Sequence, residues 1–161
     1  MIAVRPAHPL DARQMAELLN AVIQIGGTTA LSDALTREDI LERMQRTPDL
    51  SSWHVAESET GVILGFQWIT GADYLPRDAA EIATFTAPGN QGLGIGSKLF
   101  EATRTAAKRL GYAWINANIR ADNAGGLAYY QSRGFEDYGK IEGYQMADGR
   151  VVDKILKRLD L

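Results

Sequence analysis

Apolar residues first recur with a helical period at Met15, Leu18, Leu19, Val22 and Ile25, a spacing that gathers them on one stripe of a helix. Asp11 is placed to cap that helix, with Gln14 three residues on, and Gly26-Gly27 stops it. Ahead of it, Ile2 to Arg5 reads as a first strand. A second, short helix is expected from Thr36 as cap to Thr47-Pro48, with Ile40, Leu41 and Met44 turned inward. The pattern then shortens to two strands, Trp53 to Glu57 and Val62 to Thr70, joined as a hairpin at Ser58 to Gly61. Asp73 to Asp78 is a loop, and Glu81 to Thr86 is a fourth strand.

Helical spacing returns at Leu99, Thr103, Ala106 and Leu110, with Lys108 and Arg109 in the last turn and Gly111 as the stop. Trp114 to Ile119 alternates, with Trp114, Asn116 and Asn118 on one face and Ile115, Ala117 and Ile119 on the other. Asn123 caps a short helix that carries Leu127, Tyr129 and Tyr130 and ends at Gly134. Phe135 to Ile141 and Val151 to Leu159 are two last strands, turned at Asp148-Gly149. No linker, repeat or low-complexity segment interrupts the alternation. The 161 residues therefore predict a single domain, 1–161, with a mixed α/β sheet.

Between the fourth strand and the third helix the chain reads Phe85-Thr-Ala-Pro-Gly-Asn-Gln-Gly-Leu-Gly-Ile-Gly-Ser97. Glycines let the backbone approach an anion, and the first amides of the following helix have no partner within it. The turn also lies at a strand's carboxyl end, where open sheets bind ligands. A diphosphate-bearing acyl carrier and a nucleotide both fit that description. A Walker A loop fails, because Ser97-Lys98 follows Gly96 in the wrong order. A Gly-x-Gly-x-x-Gly fingerprint fails as well, since its third glycine would fall on Ser97 or Leu99. What remains is Gln91-x-x-Gly94-x-Gly96.

Composition narrows the chemistry further. The formal charge of −3 with no basic block argues against nucleic acid as partner. The absence of cysteine excludes disulfides, zinc thiolate sites and a cysteine nucleophile. His8 and His54 are the two histidines and lie far apart, which leaves little material for a histidine metal site or a Ser-His-Asp triad, so no metal is expected. The N-terminus lacks a signal-peptide pattern and no apolar run approaches a membrane span, which makes a cytoplasmic protein without a membrane partner the expectation.

A second motif, Asn123-Ala-Gly-Gly-Leu-Ala-Tyr129-Tyr130-Gln-Ser-Arg-Gly134-Phe135, lies downstream. Its tyrosine at 130 stands five residues before the phenylalanine of Gly-Phe and 34 after Gly96. Together with Gln91-x-x-Gly94-x-Gly96, this resembles the GNAT family of N-acetyltransferases over nearly the whole chain. The resemblance implies a mostly antiparallel central sheet flanked by helices and splayed at an acetyl-coenzyme A (acetyl-CoA) site. It implies acetyl-CoA as co-substrate, held by Thr84, Phe85, Thr86, Gln91, Gly92, Leu93, Gly94, Ile95, Gly96, Ser97, Asn123 and Tyr130. In this reading Gln91 to Ser97 wrap the pyrophosphate, Asn123 reaches the pantetheine arm, and Tyr130 resembles the general acid. Many members are dimers, which makes a homodimer one expected partner.

Gly27-Thr28-Thr29-Ala30, Glu81 ten residues before Gln91, and Gly134-Phe-Glu-Asp-Tyr138 with a terminal Lys-Arg-Leu-Asp-Leu are similar to the phosphinothricin and methionine sulfoximine branch. That branch acetylates the α-amine of small amino-acid-like compounds. Here Leu31-Ser32 replaces the aromatic residue expected after Thr-Thr-Ala, which leaves the acceptor open. Thr28, Thr29, Tyr74, Arg77 and Glu81 are the candidate acceptor-binding residues, with Arg77 suited to a carboxylate. An amine is protonated near neutral pH, so transfer needs a base, for which Glu81 at the start of its strand is the candidate. A backbone amide between Thr84 and Thr86 is placed to stabilise charge on the thioester oxygen. Two further readings stay open: a module that binds an acyl-CoA without turnover, and a transferase acting on a protein N-terminus or a polyamine.

Overall fold

The computed structural model describes residues 1–161. In chain order the elements are β1 (Ala3–Pro6), α1 (Ala12–Ile25), α2 (Arg37–Arg46), β2 (Ser52–Glu57), β3 (Ile63–Thr70), β4 (Ala79–Thr86), α3 (Ile95–Arg109), β5 (Trp114–Arg120), α4 (Ala124–Ser132), β6 (Glu136–Gln145) and β7 (Val151–Asp160). The strands form one sheet in the order β1-β2-β3-β4-β5-β7-β6. Every neighbouring pair is antiparallel except β4 with β5, whose parallel arrangement requires a crossover, supplied by α3.

The alternation of side chains along the strands decides which helices cover which face. Phe66, Trp68, Phe85 and Trp53 lie under α1 and α2 in an aromatic core, with Trp53 and Trp68 stacked at 4.4 Å. Ile82, Ile115, Ala117 and Ile119 lie under α3 and α4 with Phe100, Tyr130 and Phe135. Thr36 caps α2 as expected: its side chain accepts from Asp39 N–H while Asp39 bonds back to Thr36 N–H.

The parallel pairing of β4 with β5 runs from Ala79↔Trp114 to Ile82↔Ala117 and then ends. Beyond it β4 stays bonded to β3 as far as Thr86, and β5 stays bonded to β7 as far as Arg120. The two central strands are thus held apart by their outer neighbours, and the sheet opens as a V at the end where the glycine turn lies.

Three expectations change. Asp11 occupies the cap position of α1 but makes no capping bond; its carboxylate accepts two guanidinium nitrogens of Arg5, at 2.8 and 2.9 Å, and His8 N–H at 2.7 Å. Gln14 instead ties α1 to the sheet by accepting from Ile63 N–H at 3.0 Å. Ile25, at the end of the apolar stripe, is 70% exposed. The strand containing Glu81 begins two residues earlier, at Ala79, so Glu81 sits inside the sheet rather than at its entrance.

The Arg5 guanidinium is the main cause holding the Asp11 carboxyl below its ordinary value of 3.8. A depressed folded-state pKa means the pair stabilises the fold above the ordinary carboxylate range and loses that contribution as pH falls through the lowered value. Asp11→Asn is therefore expected to lower the urea midpoint at pH 7, with the gap to the parent protein narrowing once pH drops below 3.8.

Candidate active site

The glycines of the turn do two different jobs. Gly92 and Gly94 have φ of +83° and +76°, a left-handed backbone that costs an L-residue about 1–2 kcal/mol. Gly94 is also the cap of α3 and offers no side chain to its amides. The first intrahelical bond, Lys98 N–H to Gly94 O at 3.2 Å, leaves the amides of Ile95, Gly96 and Ser97 without a backbone partner. Gly96 is different, because a Cβ there would lie 2.6 Å from Tyr129 Cε1. Its lack of a side chain lets α4 close onto α3, and Tyr129 Oη donates to Gly96 O at 2.7 Å.

The open end of the sheet holds a cavity of about 610 Å³. It runs from Thr28 and Thr29 after α1, past Thr84, Phe85 and Thr86, to Gln91, Gly92, Gly94, Ile95, Gly96 and Ser97, and is closed by Asn123 and Tyr130. Leu93 departs from expectation: it is 54% exposed and outside this lining. Ala87 N–H bonds Leu64 O on the β3 side, so by strand alternation the amides of Thr84 and Thr86 are directed into the gap. The Phe85 amide is directed the other way, toward β3, and its ring, on the α1 face of the sheet, packs 5.1 Å from Phe66 in the aromatic core.

Asn123 works as a cap, accepting from Gly126 N–H at 2.9 Å, while its amide donates to Thr28 O at 3.0 Å. Arg120, almost fully buried, donates to Thr29 O at 3.1 Å and pairs with Asp122. These two bonds fasten the Thr28-Thr29 loop across the mouth of the cavity. Arg120 carried no sequence signal, because its partner lies 91 residues away.

Tyr130 Oη lies 2.8 Å from Thr84 Oγ1. Burial pushes its phenol well above the ordinary value of 10.0, so near neutral pH it is a proton donor. Glu81 projects from the other face of β4. Burial raises its carboxyl above 4.5, against the opposing pull of the Tyr74 hydroxyl and the Lys154 charge. Tyr74 donates to Glu81 and accepts from Asn116 Nδ2 at 3.0 Å and Asn118 Nδ2 at 3.2 Å. Tyr138 donates to the other end of the Asn116 amide. Every bond in this cluster points toward the Glu81 carboxylate.

Glu81 and Tyr74 do not line the large cavity; Asn118 does, and it joins the two. The alternation in β5 showed Asn116 and Asn118 on one face, and polar residues inside a strand were the available signal for this cluster. Arg77 departs from the sequence reading. It is exposed, makes no hydrogen bond or ion pair, and lies just before β4, at the end away from the cavity. No group of three His, Asp or Glu side chains is close enough to hold a metal ion, and no helix is long and apolar enough to cross a membrane.

The family profile described as "Acetyltransferase (GNAT) domain" matches residues 49–137, which span the hairpin, the glycine turn and α4. This chain belongs to the GNAT acetyltransferase family. This GNAT protein is 28% identical to YwnH of Bacillus subtilis (strain 168), a protein named as a candidate phosphinothricin acetyltransferase, with 98% of each chain covered. It is 23% identical to a phosphinothricin N-acetyltransferase of Streptomyces viridochromogenes, over 89% of this chain and 80% of that one. A GNAT phosphinothricin acetyltransferase from Sinorhizobium meliloti, solved in complex with acetyl-CoA, superposes with a TM-score of 0.87 at 21% identity, covering 99% of this chain and 88% of that one. The mostly antiparallel sheet, its flanking helices and its opening between β4 and β5 are those of the GNAT fold.

Proposed function

We propose that residues 1–161 form one N-acetyltransferase domain that moves an acetyl group from acetyl-CoA to the primary amine of a small molecule, with amino acids and their analogues as the first candidates. The observation that carries this reading is the V between β4 and β5: the unpaired amides of Thr84 and Thr86 and the Tyr130 hydroxyl face into it, and Glu81 projects from β4 on the other face. The residues fit the carrier. The bare amides at the start of α3 suit a pyrophosphate, and the cavity from Gly94 to Thr84 suits the arm that joins it to a thioester.

When bound, acetyl-CoA supplies an acetyl thioester. Glu81 accepts a proton of the incoming ammonium, directly or through water, passes it to solvent, and accepts the second proton that leaves the nitrogen as the N–C bond forms; its raised pKa brings it closer to the operating pH than an ordinary carboxylate. The amides of Thr84 and Thr86 donate to the thioester oxygen as negative charge develops there. Tyr130 gives its proton to the sulfur as the C–S bond breaks and the N–C bond forms. The similarity to proteins named for phosphinothricin supports a small amino-acid-like acceptor, and the Leu31-Ser32 departure makes the choice among such acceptors an experimental question.

The test is a panel of amino acids, sulfoximines, phosphinothricin, polyamines and peptides incubated with acetyl-CoA, reading released thiol. With no cysteine in the chain, the protein adds no thiol background. Turnover confined to α-amino acids and analogues is the expected result; turnover with none of the panel overturns the reading in favour of a binding module.

The Tyr74 hydroxyl holds the Glu81 carboxyl down, so its removal raises that pKa further. Since the base works when ionised, the rate falls as pH drops through its pKa. Tyr74→Phe is expected to move the acid limb of the kcat profile to higher pH, and a limb that moves down or stays put contradicts the assignment of Glu81.

A further inference from the structure

Gln67 lies on β3 directly across from Thr84, and its side chain is completely enclosed. Its Nε2 donates to Thr84 Oγ1 at 2.8 Å and to Tyr129 Oη at 3.1 Å. The direction of these bonds is forced. Tyr129 has one hydroxyl proton, and it goes to Gly96 O, a carbonyl that can only accept. The Gln67 atom facing Tyr129 must therefore be a donor, which fixes Nε2 toward the pair and leaves Oε1 without a partner. The second Nε2 proton falls on Thr84 Oγ1. With that acceptance made, one of the two lone pairs of Thr84 Oγ1 is occupied; either hydroxyl of the Thr84–Tyr130 pair, 2.8 Å apart, can donate to the other, and donation by Thr84 leaves the Tyr130 proton free to turn into the cavity.

We infer that Gln67 is a positioning residue: it sets the direction of the Gln67–Thr84–Tyr130 hydrogen-bond chain so that the Tyr130 proton is presented to the departing sulfur. This rests on the transferase reading above. As the C–S bond breaks and the N–C bond forms, Tyr130 protonates the sulfur, and its oxygen keeps the Thr84 hydrogen bond as it takes up negative charge. The ammonium gives up two protons: Glu81 passes the first to solvent and takes the second as the N–C bond forms; afterwards Glu81 releases that proton to solvent and Tyr130 recovers one, so turnover releases one net proton and the balance closes.

An amide with an unpartnered buried oxygen is a destabilising element in a core. Its place here follows from the direction it imposes. The same chain starts at Gly96 O, so four hydrogen bonds join the first turn of α3 to the proton donor: Gly96–Tyr129, Tyr129–Gln67, Gln67–Thr84 and Thr84–Tyr130.

The free protein gives the first test. In protein labelled at tyrosine ¹³Cζ, the Tyr130 resonance, assigned by its loss in Tyr130→Phe, is expected to shift in Gln67→Leu and in Thr84→Val. Steady-state kinetics give the second. Gln67→Leu and Thr84→Val are each expected to lower kcat by about tenfold to a hundredfold, with KM for acetyl-CoA and amine nearly constant, and Thr84→Ser recovers most of the loss. In a Tyr130→Phe background, Gln67→Leu has no further effect on kcat. A loss of equal size in that background, or a Tyr130 resonance that does not move, overturns the proposal while leaving the transferase reading intact. Wild-type kcat in Tyr130→Phe overturns the acid assignment itself. Should Gln67→Leu not fold, the Thr84→Val and Thr84→Ser pair decides the question.

Discussion

Glu81→Gln is expected to lower kcat by about a hundred- to ten-thousand-fold while acetyl-CoA affinity stays nearly constant, because it deletes proton acceptance and keeps the shape of the side chain. The structure supplies the reason for so large an effect. Tyr74, Asn116, Asn118 and Tyr138 form a hydrogen-bonded cluster directed at this carboxylate, and burial raises its pKa. An amide at position 81 still accepts from Tyr74 Oη, so the cluster is expected to persist and folding to be little affected. The measurement is a set of initial rates across pH together with calorimetric titration of acetyl-CoA. Loss of the acid limb along with kcat supports the base. If kcat survives with its limb intact, Glu81 is a structural carboxylate and the base lies elsewhere.

Gly94→Val is expected to weaken acetyl-CoA binding by at least about a hundredfold, roughly 2.8 kcal/mol. Two effects act together. Its φ of +76° is strongly disfavoured for a β-branched residue, and its missing Cβ faces open space rather than protein, at a position that lines the cavity. Asparagine tolerates the left-handed backbone but still fills that space. Loss of affinity in both Gly94→Val and Gly94→Asn therefore assigns the glycine to the room it leaves for the ligand. Normal affinity in Gly94→Asn assigns it to backbone conformation alone, and normal affinity in both removes the pyrophosphate from this turn.

Much of this architecture was readable along the chain. The helical period from Met15 to Val22, the Thr36 cap, the hairpin at Ser58 to Gly61, the glycine stop at Gly111 and the Asn123 cap all depend on neighbours within a few residues, and each stands where the spacing puts it. The places where the structure differs depend on partners that local spacing does not show. Asp11 has the chemistry of a cap, but Arg5 and His8 compete for the same oxygens and hold them. Arg77 has the chemistry of a carboxylate clamp, and the structure places it exposed just before β4, outside the cavity lining. Leu93 sits among glycines that line the cavity and is itself exposed, outside that lining.

The sequence by itself determined the order of elements, the glycine turn at the end of β4 and the Tyr130 spacing, because local periodicity and backbone stereochemistry are encoded by adjacent residues. The juxtaposition of Gln67, Thr84 and Tyr130, the cluster around Glu81 and the fastening of Thr28-Thr29 by Arg120 and Asn123 were decided by the tertiary structure. Each joins groups distant in the chain, from 7 residues between Tyr74 and Glu81 to 95 between Thr28 and Asn123. A hydrogen bond has a direction only once both partners are in place. The splay of β4 from β5 is likewise a product of long-range pairing, each strand following its outer neighbour beyond the point where the two part.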